Sequence, residues 1–367
     1  MKPNVAPPES SVVVRPEPME SATYTQSSRL HAAGLTPAIA LFAEAAGEIP
    51  LPEPPQPIVV ADYGAANGHN SLKPISAAIE VLRRRTGQDH AILLTHTDVP
   101  ENDFTALFRT LADDPDSYLH RDSASFASAI GRSFYTQILP SNTVNLGWTS
   151  WAIQWLSRVP ATIPDHIHVA YSDDKEARAA YAHQAAIDWQ DFLAFRGREL
   201  CPDGRLVVLT TAIDEDGEFG YQPLLDTLLA ALQDQVGDGL LDRKELQRMA
   251  IPSFSRSEGD FRAAFAPRGH FEGLTIEHLE VFNAEDRFWA RFQAGGDAEA
   301  FGAEWSAFAR AAVFPTLSAA LEGGVNDPRA TEFIQQLEAA VAQRLTNAPE
   351  PMRIPLASIV LAKRAAR

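Results

Sequence analysis

A chain of 367 residues is long enough to bury a large core, either as one big α/β domain or as a domain with a sizeable insertion. Its net charge of −17 argues against nucleic acid as a partner, because phosphate binding needs a basic face, and 45% hydrophobic with 22% charged residues is the balance of an ordinary globular protein. The single cysteine, Cys201, excludes disulfides within the chain and thiolate metal sites; no stretch has the length and apolarity of a membrane span and no secretory leader pattern opens the chain, so the reading is a cytoplasmic protein.

Residues 1–20 are rich in Pro, Glu, Ser and Val and read as a disordered arm. Order is expected from residue 21. Thr36 reads as an N-cap with Pro37 at the first helical position, for a helix through residue 46. Five prolines between residues 48 and 57 make a rigid lead into the apolar run Ile58-Val-Val-Ala61, a buried strand. Asp62, Gly64 and Gly68 follow, then a helix over residues 71–85. A second strand spans residues 91–97 and ends at Asp98; Asn102 or Asp103 caps a helix through residue 111. Residues 113–122 read as a polar loop, and 124–130 lead to Ser133-Phe134-Tyr135. Residues 143–147 are a further strand. Residues 148–157 carry three tryptophans and stop at Pro160.

A long helix is expected over residues 176–198, then a turn at 201–204 and a buried strand at 205–210. Strands alternating with helices imply a mostly parallel, doubly wound, Rossmann-like sheet, here of seven strands. After residue 221 the pattern turns helical: 223–236, 242–250, 260–265, 297–320 and 328–345, with strands at 274–282 and 354–363. The implied organisation is the arm (1–20), a nucleotide-binding core (21–215), a mainly helical cap over the sheet's carboxyl edge with a late strand returning to the sheet (216–350), and a C-terminal strand and tail (351–367).

A strand, a glycine turn and a helix N-terminus form a ready nucleotide site, because glycines admit a ligand close to the backbone and free N–H groups point at it. The spacing Gly64-x-x-x-Gly68 is not the dinucleotide pattern, and no lysine marks a P-loop. Asp62 before the first glycine suits a methyltransferase, with the amino-acid end of S-adenosylmethionine (SAM) over the turn. Asp98, ending the next strand, is placed to accept ribose hydroxyls. Ser133 and Phe134 offer a hydroxyl and an aromatic face for an adenine. Trp148 and Trp151 offer walls for an apolar pocket.

These blocks occur in a fixed order: Tyr24-x-x-x-Ser28, Asp62-x-Gly64-x-x-x-Gly68-x-Asn70, Asp98-Val-Pro-x-Asn-Asp-Phe104, Gly131-x-Ser-Phe-Tyr135, and Ser150-Trp-x-x-Gln-Trp-Leu-Ser157. In that order and spacing the chain resembles the SABATH family of plant-type methyltransferases, over roughly residues 22–365, with the shorter build of a bacterial-type member. The resemblance implies a SAM-dependent carboxyl methyltransferase acting on a small organic acid; a nitrogen or hydroxyl methyltransferase, or a SAM-binding protein without catalysis, are the alternatives. It implies that Asp62, Gly64, Gly68 and Asn70 hold the methionine end of SAM. Asp98 would hold the ribose with Val99 beside the adenine, Ser133 and Phe134 the adenine, and Tyr24 and Ser28 would close the N-terminal segment over it. Trp155 matches the tryptophan that orients the substrate carboxylate. His31 stands where carboxylate-methylating members have glutamine, Gln154 where they often have histidine, and Ser27 where asparagine is usual; both exchanged types can donate a hydrogen bond, so a clamp of His31, Gln154 and Trp155 is expected. Members often pair as homodimers, and some carry magnesium.

Overall fold

The computed structural model describes residues 22–365, with side chains from residue 34 onward apart from residue 325. The expected arm therefore lies outside the described residues, as do the side chains of Tyr24, Ser28 and His31.

One sheet organises the chain. Its strands are β1 (Ile58–Tyr63), β2 (Ile92–Asp98), β3 (Ser125–Gly131), β4 (Val144–Ser150), β5 (Leu200–Thr211), β6 (Leu274–Asn283) and β7 (Pro355–Lys363). Their order across the sheet is β3-β2-β1-β4-β5-β7-β6. The first five run parallel; β7 pairs antiparallel with β5 and with β6. Inner strands of such a sheet are covered on both faces, which is why β4 is buried at every position and β1 at all but Val59. Side chains alternate between the faces. Val60, Leu94, Leu209 and Leu356 enter one core; Ala61, Tyr63, Val208 and Ile359 enter the other.

Twelve helices cover these faces: α1 (Ala22–Glu48), α2 (His69–Thr86), α3 (Phe104–Asp113), α4 (Tyr118–Arg121), α5 (Lys175–Glu199), α6 (Gln222–Gly237), α7 (Arg243–Arg248), α8 (Glu258–Ala263), α9 (Arg287–Gln293), α10 (Ala298–Ala312), α11 (Phe314–Ser318) and α12 (Ala330–Asn347), counted among the described residues. α1 and α2 build the first core, joined by α6, α10 and α12; α5 and α8 build the second through Trp189, Phe192 and Phe261. No helix among the described residues is long and apolar enough to cross a membrane.

Several boundaries differ from the sequence expectation. α1 does not start at Thr36; it runs through Pro37 from residue 22. Leu35, Ala38, Phe42, Ala45 and Ala46 are all buried, and that packing outweighs the one helical hydrogen bond Pro37 cannot make. The helix expected over 297–320 breaks at Val313, whose φ of −131° precedes Phe314-Pro315. The turn at 201–204 is absorbed into β5 as an irregularity, with Asp203 at φ 60°. α4 interrupts the expected loop at 113–122, and α9 was not expected.

Candidate active site

The strand order reverses between β1 and β4, and it is at such a switch point, at the carboxyl ends of the strands, that a doubly wound sheet forms its ligand crevice. The glycine turn lies there. Gly64 and Gly68 both have φ 80°, a left-handed backbone that other residues reach only with strain. A Cβ on Gly64 would lie 2.5 Å from Ala152 Cβ, and one on Gly68 would lie 2.6 Å from Leu107 Cδ1, so the turn is compressed as well as twisted. The Gly64 and Ala65 amides donate to the Thr97 carbonyl at 2.8 and 3.0 Å, locking the turn to β2.

Asp98 ties the same turn from the side. Its Oδ2 accepts the Ala66 amide at 2.7 Å and its Oδ1 accepts the Val99 amide at 2.8 Å. Burial raises its pKa to about 6, while those two amides pull it down and the Asp62 charge pushes it further up. Asp62, 2% exposed, has its Oδ2 in a hydrogen bond with His96 Nδ1 at 2.8 Å. Its Oδ1 carries no hydrogen bond from the described residues. Asn70, in the first turn of α2, buries an Oδ1 that likewise has no partner.

Phe134 is delivered to the turn by a buried ion pair. Arg196 of α5, fully buried, donates to the carbonyls of Phe134 and Thr136 at 2.9 Å each and to Glu199 Oε1 at 2.8 Å. Glu199 accepts the Ile138 amide at 2.5 Å and the Tyr63 hydroxyl at 2.8 Å. The segment after β3 is thus pinned to α5 and β1, and Phe134 Cε1 comes to 3.7 Å from a Cβ built on Gly64. Ser133, half-buried, accepts the Tyr135 amide at 3.3 Å.

The tryptophans divide. Trp148 is fully buried within β4, its ring 5.0 Å from that of Phe42; it is a core side chain, and the pocket-wall expectation does not hold for it because inner-strand positions face packed helices. Trp151, just beyond the strand, turns the chain with φ 57°, and Gly34 of α1 packs on it: a Cβ there would lie 3.3 Å from Trp151 Cζ2. Position 31 lies one helical turn before Gly34. Gln154 braces this loop. Its Nε2 donates to the Trp151 carbonyl at 2.7 Å and its Oε1 accepts the Thr210 hydroxyl at 3.2 Å, so one amide hydrogen remains uncommitted. Trp155 is half-buried; its carbonyl accepts the Tyr135 hydroxyl at 2.5 Å, and its backbone bridges Ser253. Arg256, buried, donates to the Ile153 carbonyl at 2.8 Å, and Asp188 accepts the Ser157 amide at 2.8 Å, so the loop is anchored to the helical layer from two sides.

Four supporting residues escaped the sequence reading: His96, Tyr118, Arg196 and Arg256. His96 left a signal, as the lone ring nitrogen donor in an apolar strand. The two arginines left none, because a charge on a long helix or in a loop reads as solvated.

The residues present fit a SAM molecule. The glycine cradle has no room for side chains, and among the described residues neither Asp62 Oδ1 nor Asn70 Oδ1, beside it, has a hydrogen-bond partner. Among the described residues no three His, Cys, Asp or Glu side chains gather into a metal-ligating cluster. Fold and crevice together define an α/β methyltransferase dependent on SAM. The chain belongs to the SAM-dependent carboxyl methyltransferase family, whose model matches residues 13–361. It is 30% identical over 250 residues to salicylate carboxymethyltransferase of Clarkia breweri, covering 65% of this chain and 67% of that one. To gibberellic acid methyltransferase 2 of Arabidopsis thaliana it is 26% identical over 329 residues, 82% and 83% of the two chains. The fold matches that of a loganic acid methyltransferase solved with S-adenosylhomocysteine (SAH), with a TM-score of 0.76 at 20% identity over 96% of this chain and 99% of the other.

Proposed function

We propose that the crevice holds SAM through Asp62, Gly64, Gly68, Asn70, Asp98, Val99, Ser133 and Phe134, with Tyr24 and Ser28 closing over it. His31, Gln154 and Trp155 then align the carboxylate of a small organic acid, with Trp151 walling its apolar part. In this reading residues 21–215 are the cofactor core and residues 216–350 the acceptor cap, and the protein works in the cytoplasm as a homodimer.

The observation that carries the reading is the contact between the two halves of the crevice. A Cβ on Gly64 would touch Ala152, which follows Trp151 and precedes the Gln154-Trp155 pair by two positions. A donor on the glycine turn and an acceptor on the tryptophan loop therefore share one wall.

When bound, SAM supplies an electrophilic methyl group on a sulfonium. An acceptor carboxylate, with a reference pKa of roughly 4, is already an anion at pH 7, so the side chains need not remove a proton. Their work is alignment and exclusion of water. Each neutral donor to the charged carboxylate contributes about 1.5–3 kcal/mol, about tenfold or more in rate if the contact tightens during transfer. The uncommitted amide hydrogen of Gln154 and the Trp155 indole are such donors.

The test is methyl-ester formation from a panel of aromatic, aliphatic and unsaturated acids, with phenols and purines as controls. An ester from one acid class is expected. Trp155→Ala should lower its rate at least tenfold while SAH affinity stays within twofold. Methylation of phenols or purines alone would overturn the carboxyl assignment.

A further inference from the structure

His96 has no place in the reading above, yet it sits against its centre. Asp62 and His96 are register partners on the adjacent parallel strands β1 and β2, so their side chains leave the same face of the sheet. Two residues earlier on that face stand Val60 and Leu94, both buried in the apolar core. His96 is fully buried, and both its ring nitrogens are engaged: Nδ1 with Asp62 Oδ2 at 2.8 Å, Nε2 with the Tyr118 hydroxyl at 2.9 Å. Tyr118 enters from α4, and its ring stacks on the imidazole at 6.1 Å between centroids.

The proton inventory of this row is constrained. An ionised carboxylate only accepts, so Nδ1 carries the hydrogen toward Asp62. In the neutral imidazole Nε2 is then an acceptor, and Tyr118 donates to it. Burial holds the phenol in its protonated form far above neutral pH, with the Asp62 charge adding to the effect. The row Tyr118–His96–Asp62 leaves one oxygen, Oδ1, without a partner among the described residues.

Packing alone does not call for such a row. Replacing a buried polar group set by apolar residues of similar volume is often neutral or stabilising, and the neighbouring positions on this face are apolar. What the row does is fix the angle of a carboxylate, the service that supporting hydrogen bonds give to ligand-binding groups elsewhere.

We propose that His96 and Tyr118 are positioning residues for Asp62, holding its free oxygen toward the ammonium of the cofactor's amino-acid end. This rests on the assignment of the crevice to SAM. The row acts on one end of the ligand only, and that makes it separable from general destabilisation. SAH has the amino-acid end; 5′-methylthioadenosine has the same adenosine and lacks it.

Calorimetric titration of both ligands into the full-length protein, its His96→Leu and its Tyr118→Phe variants tests the proposal. His96→Leu should weaken SAH at least tenfold and leave methylthioadenosine within twofold. Tyr118→Phe, which removes one oxygen and serves if the first variant does not fold, should weaken SAH about threefold and leave methylthioadenosine unchanged. Equal loss of both ligands, or no loss of either, would overturn the relay while the crevice assignment stands. Wild-type protein that binds neither ligand would overturn that assignment and the relay with it.

Discussion

Burial brings the charge change of the Asp98 carboxyl up toward neutrality. With its carboxyl raised by burial to about 6, it is ionised at pH 7.5 and largely protonated at pH 5. A carboxylate accepts hydrogen bonds at both oxygens, whereas the acid gives up part of that capacity. SAH affinity should therefore fall as pH drops from 7.5 to 5.5, and Asp98→Asn should bind weakly with a flat profile; titration calorimetry across that range checks it. The effect on folding has the opposite sign. The folded state holds this proton more tightly than the unfolded chain, whose value is about 4. Its stabilising contribution is full below about 4 and is lost as pH rises through about 6. Gly64 offers a second check. Gly64→Ala adds left-handed strain of about 1–2 kcal/mol and a clash with Ala152, so both melting temperature and SAH affinity should drop. Gly87 has φ 81° with nothing within 4 Å of a Cβ, and Gly87→Ala should lower the melting temperature alone.

At the scale of elements, the sequence reading succeeded where local periodicity and composition decide. Ile58-Val-Val-Ala61, the alternation of strands and helices, and the Asp103 cap of α3 all appear in the structure. It failed where tertiary packing overrides a local signal. Thr36-Pro37 carries a good helix-start signature, yet the buried stripe from Leu35 to Phe42 carries the helix through it. Pro37 is exposed, so nothing packs on its ring in compensation. Pro37→Ala should raise the melting temperature by a couple of degrees, read by differential scanning calorimetry, because it restores a helical hydrogen bond. The glycine turn and Asp62 were legible because they adjoin in sequence, and Asp98 because it ends the next strand of a parallel pair. The Arg196–Glu199 pair that holds Phe134 was not, since its partners are about 60 residues away in sequence. Arg196→Met leaves Glu199 buried without its cation and should cost about 3–5 kcal/mol in denaturant unfolding.

Taken whole, the molecule is an anion of net charge −17 whose two small ligands differ in sign. SAM is a cation and the proposed acceptor an anion. Salt shortens the reach of the protein's field from about 30 Å at 0.01 M to about 8 Å at 0.15 M. Raising salt across that range should lower KM for the acid and raise KM for SAM, a crossed pattern that steady-state kinetics would reveal. The sheet itself has a further consequence. Its parallel part ends at β5, and β6 joins only through β7, which lies between them and is buried along all but its last residue. On a ribosome β7 is made after everything it joins. Until it emerges, β5 presents an apolar, unpaired edge and β6 has no strand to pair with, and neither core can close. The nascent polypeptide must therefore be kept from its neighbours during synthesis, and the cofactor crevice, though encoded early, matures only after the rest of the chain is made.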